Sequence, residues 1–281
     1  MVKIVTDTTS CLSPEFSRQY NVPIIPQVIN FGNDSYLEGV DMDIAMFMQR
    51  LRASKELPKT AAPPPELFRE VFSTLVPQGE PILCLHPSAE VSGTVRSATV
   101  AAQEFPGADI RVIDTRLVSS PLGTLVTLAT QWATNGETAD TIEAGILAMI
   151  PTCRIYFLVD TLEYLAKGGR IGGAQALVGS ILQIKPILSF KDGKVDQFDK
   201  VRTHRHALTR LKELVVAEYP NVGNGYLTVM HAGVYEEAVS LAEDLAAALN
   251  LPPAPVFNMP PAITTHAGPG VLGVGFFVKP S

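Results

Sequence analysis

Short apolar segments alternate with amphipathic helical segments through the first half of the chain. Strands are predicted at residues 2–5, 23–29, 82–85, 110–113 and 155–159, where apolar side chains cluster over a few positions. Helices are predicted from Ser13 and Pro14, a cap followed by proline, and at residues 44–54, 65–75, 94–105, 117–132 and 138–150. This alternation is typical of a sheet with helices packed against it.

The pattern changes after Val159. Two apolar segments, residues 187–190 and 195–201, flank Asp192-Gly193, a strong hairpin signal. A helix at 204–219, a strand at 226–230, a helix at 236–249 and strands near Val256 and at 271–278 are predicted to follow. We therefore predict a two-domain α/β protein. Residues 1–153 form an N-terminal sheet flanked by helices, and residues 154–281 form a C-terminal α/β domain with a mixed sheet.

Charge and composition exclude several classes of function. The net charge is −6 and no block of Lys or Arg stands out, which argues against nucleic-acid binding. Cys11, Cys84 and Cys153 are far apart without metal-ligand spacing, so we expect reduced thiols, no metal and a cytoplasmic location. The nearly uncharged stretches 117–136 and 245–278 are interrupted by Pro and Gly, so neither is predicted to span a membrane.

Three hydroxyl-rich segments precede or follow predicted elements. Residues 6–10, TDTTS, come directly after the first strand, where open α/β sheets place ligands, although the same residues suit a turn. Thr60 is either a helix cap near Pro65 or a ligand contact. Ser92-Gly93-Thr94 begins a helix, and its hydroxyls and amides suit both capping and an anion. Both interpretations stay open for each segment.

The segment from Ile171 to Ile184 combines small residues with large aliphatic residues and carries no charge. A helix of this composition allows close approach of another backbone, or leaves room for a thin apolar ligand. For Arg170, just before this segment, the composition predicts a surface or interface cation.

The glycine-rich turn near the C-terminus excludes one enzyme class. Gly268, Gly270 and Gly273 match the dinucleotide-binding spacing, but only eight residues follow, too few for a βαβ unit. His266 on this turn, with Ser92 and Asp7, leaves a serine hydrolase conceivable, although no Gly-x-Ser-x-Gly elbow is present.

The motifs together resemble the DegV family, which includes the fatty-acid-binding subunits of bacterial fatty acid kinase. The matching segments are TDTTSCL at 6–12, KTAAPPP at 59–65, VSGTVRSA at 91–98, DTLEYLAKGGRIGG at 160–173, KPIL at 185–188 and HAGPGVLGVGF at 266–276. They extend from the first predicted strand to the last. The resemblance therefore covers nearly the whole chain.

The resemblance implies a non-catalytic protein, without a cofactor, that holds a long-chain fatty acid in a tunnel between its domains. The carboxyl group would contact Thr60, Ser92 and His266, with Gly93 and Thr94 as weaker contacts. The acyl chain would lie along Ile171, Gly172, Ala174, Leu177 and Ile181. The protein would present the carboxyl group to a partner kinase for acyl phosphate formation, with Arg170 and Arg202 contacting the phosphate or the kinase. Transient contact with a membrane surface is a further expectation for the partners.

Two departures from the family pattern bear on the site. The family usually has Thr-Ser-Gln-Pro where this chain has Thr60-Ala61-Ala62-Pro63, which removes a hydroxyl and an amide. Arg96 stands where a neutral residue is expected, and either strengthens anion binding or faces solvent. A serine esterase or thioesterase using Ser92 and His266, and a small-anion sensor, stay as the alternatives.

Overall fold

Three sheets and ten helices organise the part of the chain that the computed structural model describes, residues 1–179, 184–220 and 224–278. The strands are β1 (Lys3–Asp7), β2 (Ile24–Ile25), β3 (Val28–Phe31), β4 (Asp34–Leu37), β5 (Lys59–Ala61), β6 (Ile82–His86), β7 (Ile110–Asp114), β8 (Cys153–Leu158), β9 (Lys185–Lys191), β10 (Lys194–Val201), β11 (Thr228–His231), β12 (Val256–Asn258) and β13 (Leu272–Phe277). The α-helices are α1 (Pro14–Tyr20), α2 (Ile44–Ala53), α3 (Pro65–Leu75), α4 (Thr94–Ala102), α5 (Ser119–Thr134), α6 (Ala139–Met149), α7 (Glu163–Lys167), α8 (His204–Glu218), α9 (Tyr235–Leu249) and α10 (Pro261–Ala267).

The first sheet is parallel and the last is mixed, as the α/β prediction requires. The order β2-β1-β6-β7 is parallel throughout, and β4-β3-β5 forms a small antiparallel sheet. The order β10-β9-β8-β13-β11-β12 is antiparallel except between β11 and β12. Among the described residues, every strand of the first two sheets precedes residue 115 and every strand of the third follows residue 152. The division into domains at residue 153 stays a prediction.

Side-chain caps explain where several helices begin. Ser13 accepts a hydrogen bond from the Phe16 amide at the start of α1, with Pro14 in the first helical position. Thr138 and Thr203 cap α6 and α8 in the same way. These side chains accept hydrogen bonds from amides that have no partner within the helix, so the helices begin at these residues.

Helix α5 lies between the two large sheets and is largely buried, although it contains many hydroxyl groups. The hydroxyl groups of Thr124, Thr127 and Thr130 each donate to the carbonyl group four residues earlier, so all three are hydrogen-bonded. A Cβ atom at Gly123 would lie 2.2 Å from the carbonyl oxygen of Ser10. Glycine at this position therefore lets α5 approach the turn after β1. No helix among the described residues is long and apolar enough to span a bilayer.

Four features differ from the sequence prediction. The predicted strand at 23–29 is two strands, and the second turns back at Gly32, with φ of +61°, to form the hairpin β3–β4. Thr60 lies in β5, because tertiary pairing with β3 recruits a segment that has no strand pattern of its own. His266 lies in the last turn of α10 and not on an irregular turn. The predicted helix after Ile171 is a 3₁₀ helix, Gly172–Leu177, and residues 180–183 lie outside the described residues.

Candidate functional site

An apolar cavity lies at the carboxyl ends of the parallel strands, facing the six-stranded sheet. Thr9, Ser92 and Val118 reach it from the segments that follow β1, β6 and β7, where open parallel sheets place ligands. Its apolar wall consists of Val118, Ile155, Phe157, Leu165, Phe190, Val195, Met230, Met259, Ile263 and Val271. The cavity has an empty volume of about 950 Å³, including the part open to solvent.

One end of the cavity is polar. Thr60 of β5, His266 of α10 and Ser92 before α4 all line it, and we call these three residues the head-group cluster. Oγ1 of Thr60 lies 2.7 Å from Nε2 of His266. Thr60 pairs with Ile29 of β3, and this pairing holds β5 in place. The small antiparallel sheet, which the sequence analysis did not predict, therefore positions the Thr60 hydroxyl. The structure thus brings Thr60, Ser92 and His266 to one cavity.

Gly168 in the AKGGRIGG motif makes room for His266. A Cβ atom at Gly168 would lie 2.3 Å from Nδ1 of His266. Any side chain at Gly168 would therefore push the imidazole away from Thr60. Among the described residues, Nδ1 of His266 is buried without a hydrogen-bond partner.

The Ser92-Gly93-Thr94 segment divides between the cavity and its support. Ser92 and Gly93 line the cavity, whereas the Thr94 side chain is fully buried behind them. Oγ of Ser92 lies 2.8 Å from Oγ1 of Thr94 and also accepts from the Thr94 amide at 3.3 Å. Gly93 is the N-cap of α4 and supplies no side-chain cap, so Ser92 takes over that role.

A buried polar network supports this segment. Nε2 of Gln27 donates to Oγ1 of Thr94 and to Oδ1 of Asp7, at 2.9 Å in each case. Oδ1 of Asp7 also accepts from the amide of Thr9, and Oδ2 lies 2.8 Å from Nδ1 of His86. The TDTTS segment therefore acts mainly behind the site, through Asp7, while Thr9 reaches the cavity wall.

Burial keeps the His266 imidazole neutral. Desolvation, followed by the nearby positive charge of Arg170, lowers the pKa of His266 from 6.5 to about 4. A neutral imidazole has one donor and one acceptor nitrogen, so His266 exchanges a hydrogen bond with Thr60 without carrying charge at neutral pH.

Of the two predicted arginine contacts, one lies at the cavity. Arg170 is on the cavity wall, where Nε donates to the carbonyl of Val91 at 3.0 Å and Nη1 donates to that of Gly168 at 2.6 Å. Arg170 therefore ties the segment before Ser92 to the segment beside His266. Arg202 is exposed between β10 and α8, away from the cavity lining, and Arg96 is also exposed.

The predicted acyl-tunnel residues that the structure describes do not line the cavity. Ile171, Ala174 and Leu177 are buried in the same hydrophobic core as Leu165 and Val195, but they do not line the cavity. A Cβ atom at Gly172 would lie 2.0 Å from the carbonyl oxygen of Val195, so this segment packs closely on β10. Ile181 lies outside the described residues. A direct acyl contact for these five residues stays a prediction.

The hydrolase arrangement is not formed. His266 pairs with Thr60, Ser92 pairs with Thr94, and Asp7 pairs with His86. A triad would require a base hydrogen-bonded to the nucleophile and an acid hydrogen-bonded to the base. The structure therefore does not show Ser92, His266 and Asp7 as a hydrogen-bonded triad, and the hydrolase stays an untested alternative. Among the described residues there is also no group of three or more His, Cys, Asp or Glu side chains suited to a metal ion.

The replacement of the family's Ser-Gln by Ala61-Ala62 changes the cavity lining at one position only. Ala61 is exposed and lies outside the cavity lining, so the missing hydroxyl does not remove a contact from the cavity. Ala62 lines the cavity, and a Cβ atom at Gly93 would lie 3.3 Å from its methyl group. The small Ala62 side chain therefore leaves the cavity open beside Gly93.

Sequence reasoning missed Gln27 and the methionines Met230 and Met259, all of which line the cavity. Gln27 stands alone between Pro26 and Val28, and its partners are distant in sequence. The methionines belong to ordinary apolar segments. No local pattern marks any of the three as a site residue.

Comparison with known proteins gives the same family. The family model described as uncharacterised protein, DegV family, matches residues 1–279. A DegV domain-containing protein of Halalkalibacterium halodurans is 32% identical over 279 residues, covering 99% of each chain.

Two solved structures are similar over 99% of both chains. One is a fatty-acid-binding DegV family protein from Thermus thermophilus, with a TM-score of 0.90 and 31% identity. The other is a stearic-acid-binding protein from Eubacterium ventriosum, with a TM-score of 0.89 and 27% identity. Since both the family model and the relative cover almost the whole sequence, this chain belongs to the DegV family.

Proposed function

We propose that this protein binds a long-chain fatty acid, with the carboxylate at the head-group cluster and the acyl chain in the apolar cavity. The observation that carries the proposal is an apolar cavity with Thr60, Ser92 and His266 together at one end. Burial of a tail of about fourteen methylenes, at roughly 0.8 kcal/mol each, contributes on the order of 11 kcal/mol before ordering costs. The tail supplies the affinity and the cluster sets the orientation.

The chemistry of the cluster fits a carboxylate. Hydroxyl donors and one neutral imidazole suit a single negative charge, whereas phosphate sites more often use several Arg or Lys side chains. The similar proteins from Thermus thermophilus and Eubacterium ventriosum are described as binding fatty acid and stearic acid. Both facts support a fatty acid over a small anion, which would leave the apolar wall unused.

Extraction of the purified protein with organic solvent, followed by mass spectrometry, tests this proposal. We expect a long-chain fatty acid in near-stoichiometric amount. Calorimetry on lipid-free protein then compares palmitate, hexadecanol and butyrate. Tight binding of palmitate, weaker binding of hexadecanol and undetectable binding of butyrate are expected. Tight butyrate binding would instead identify a small-anion sensor, and turnover of a chromogenic acyl ester that Ser92→Ala abolishes would identify an esterase.

The finer part of the proposal is that the bound acid is presented to a partner kinase for acyl phosphate formation. Gly93, beside the head-group cluster, is exposed, so the cluster lies near the protein surface. Arg170 lies at the same end of the cavity and is available to a phosphate group. Arg202 is an exposed cation available to a partner. Such a role requires no nucleophile from this chain.

A coupled assay with a fatty acid kinase catalytic subunit and ATP tests the presentation role. We expect Arg202→Met to lower the rate of acyl phosphate formation while leaving palmitate affinity unchanged. Arg18→Met is the matched control, because Arg18 is an exposed cation on α1. Equal rates for the wild type and both variants would count against a kinase contact at Arg202.

A further inference from the structure

The six-stranded sheet splits between β8 and β9. Their pairing ends at Tyr156 opposite Ser189, although β8 stays paired with β13 as far as Cys153 and β9 stays paired with β10 as far as Lys191. The two strands therefore separate while each keeps its other neighbour. A second cavity, which we call the outer cleft, lies in this gap.

The outer cleft has a much larger share of polar lining than the apolar cavity. It is lined by charged side chains that include Arg116, Arg154, Lys191, Asp192 and Glu218. Its empty volume is about 1480 Å³, including open solvent. A hydrocarbon chain that entered it would gain less free energy per methylene than in the apolar cavity, because the charged groups keep water beside it.

Two residues line both the apolar cavity and the outer cleft: Ile155 and Phe190. Each lies one position beyond the last pair, Tyr156 and Ser189. The antiparallel register therefore sets Ile155 of β8 opposite Phe190 of β9. Ile155 is buried and Phe190 is half-buried against the same core. Among the residues that the structure describes, no others line both cavities, and these two side chains, which we call the partition, lie between them.

The strand register places the partition away from the head-group cluster. Leu158 of β8 is opposite Leu272, close after the turn that follows His266. Ile155 is three residues before Leu158 in β8 and pairs with Gly275, which at about 3.3 Å per residue places it about 10 Å from Leu158. An acyl chain whose carboxylate lies at His266 therefore directs its methyl end toward Ile155 and Phe190.

We propose that Ile155 and Phe190 set the maximum acyl-chain length, by closing the cavity against the outer cleft. This inference rests on the proposed function. Each methylene that enters the cavity raises affinity about fourfold. Beyond the length at which the methyl end meets the partition, a longer chain must bend or displace these side chains, and affinity falls.

The test is calorimetry of lipid-free protein with a series of saturated acids of increasing length. In the wild type, affinity is expected to rise and then fall beyond a limiting length. In Phe190→Ala the loss of affinity for long acids is expected to disappear. Phe190→Leu is expected to move the limiting chain length by less than Phe190→Ala does. Phe198→Ala is the matched control, because Phe198 lines the outer cleft only and is exposed. It should keep the wild-type limit.

A second ligand checks the same partition independently of the chain-length series. A dodecanoic acid with a terminal pyrene ring is too wide for the closed cavity, so the wild type and Phe198→Ala should exclude it and Phe190→Ala should bind it. An unchanged limit in Phe190→Ala and Phe190→Leu would overturn the partition, and so would an equal change in Phe198→Ala. Absence of binding by every acid to every protein would instead overturn the proposed function, and the partition with it.

Discussion

Nε2 of His266 lies 2.7 Å from Oγ1 of Thr60, although 206 residues separate the two in sequence. The pair joins β5 of the small antiparallel sheet to α10, and it closes one end of the apolar cavity. Nε2 of His266 is occupied by Thr60, whereas a hydroxyl both donates and accepts. When Nε2–H of His266 donates to Oγ1 of Thr60, the Thr60 hydrogen is free to donate to a carboxylate, so His266 orients the hydroxyl that contacts the ligand.

Replacing Thr60 with valine keeps the side-chain shape and removes this hydroxyl. We expect palmitate affinity to fall about tenfold, since a hydrogen bond to a charged group contributes about 1.5–3 kcal/mol and part of it is recovered from the remaining donors. Hexadecanol affinity should change little. Thr209→Val on the exposed face of α8 is the control, and calorimetry is the measurement. Equal losses for the acid and the alcohol would show that Thr60 acts on the cavity shape and not on the carboxylate.

The low pKa of His266 predicts an effect on stability. Its pKa is about 4 in the folded protein and 6.5 when exposed, so between these values the unfolded chain binds more protons. Stability from this group is therefore present above pH 6.5 and is lost as the pH falls toward 4. The carboxyl of Glu38 acts oppositely, because burial raises its pKa to about 7 and the folded protein binds more protons below that pH.

Comparison with His266→Gln isolates the histidine from Glu38. Between pH 7 and about pH 5, the lipid-free wild type should lose about 2 kcal/mol more free energy of unfolding than the variant. Urea unfolding at both pH values measures this difference. Parallel losses in the two proteins would contradict a neutral, buried His266.

The residues that sequence analysis predicted well are those with a local pattern. The hydroxyls of Ser92 and Thr94 begin a helix after a buried strand, and Asp192-Gly193 turns the hairpin β9–β10. The position of Thr60 was not predictable, because β5 is a strand only through pairing with β3. The role of Gly168 needed the structure as well, since it depends on the position of the His266 ring.

Gln27 shows how far a site residue can be from any local signal. Both hydrogens of its Nε2 are used, one on Asp7 and one on Thr94. Oγ1 of Thr94 accepts from Gln27, so its own hydrogen needs an acceptor, and Oγ of Ser92 lies 2.8 Å away. Ser92 then accepts from Thr94, and its own hydrogen is directed elsewhere. Gln27 thus makes Ser92 a donor toward the cavity, which suits a ligand group that only accepts.

This chain of hydrogen bonds predicts selectivity for acids over alcohols. Thr94→Val and Gln27→Met should each lower the ratio of palmitate to hexadecanol affinity by about three- to tenfold, the range of one net hydrogen bond. The double variant should lose no more than Thr94→Val alone, because both changes interrupt one connection. Gln103→Met, at an exposed position after α4, is the control for glutamine removal. Additive losses, or an unchanged ratio in Thr94→Val, would contradict a directed hydroxyl at Ser92, since then its orientation would not depend on the residues behind it.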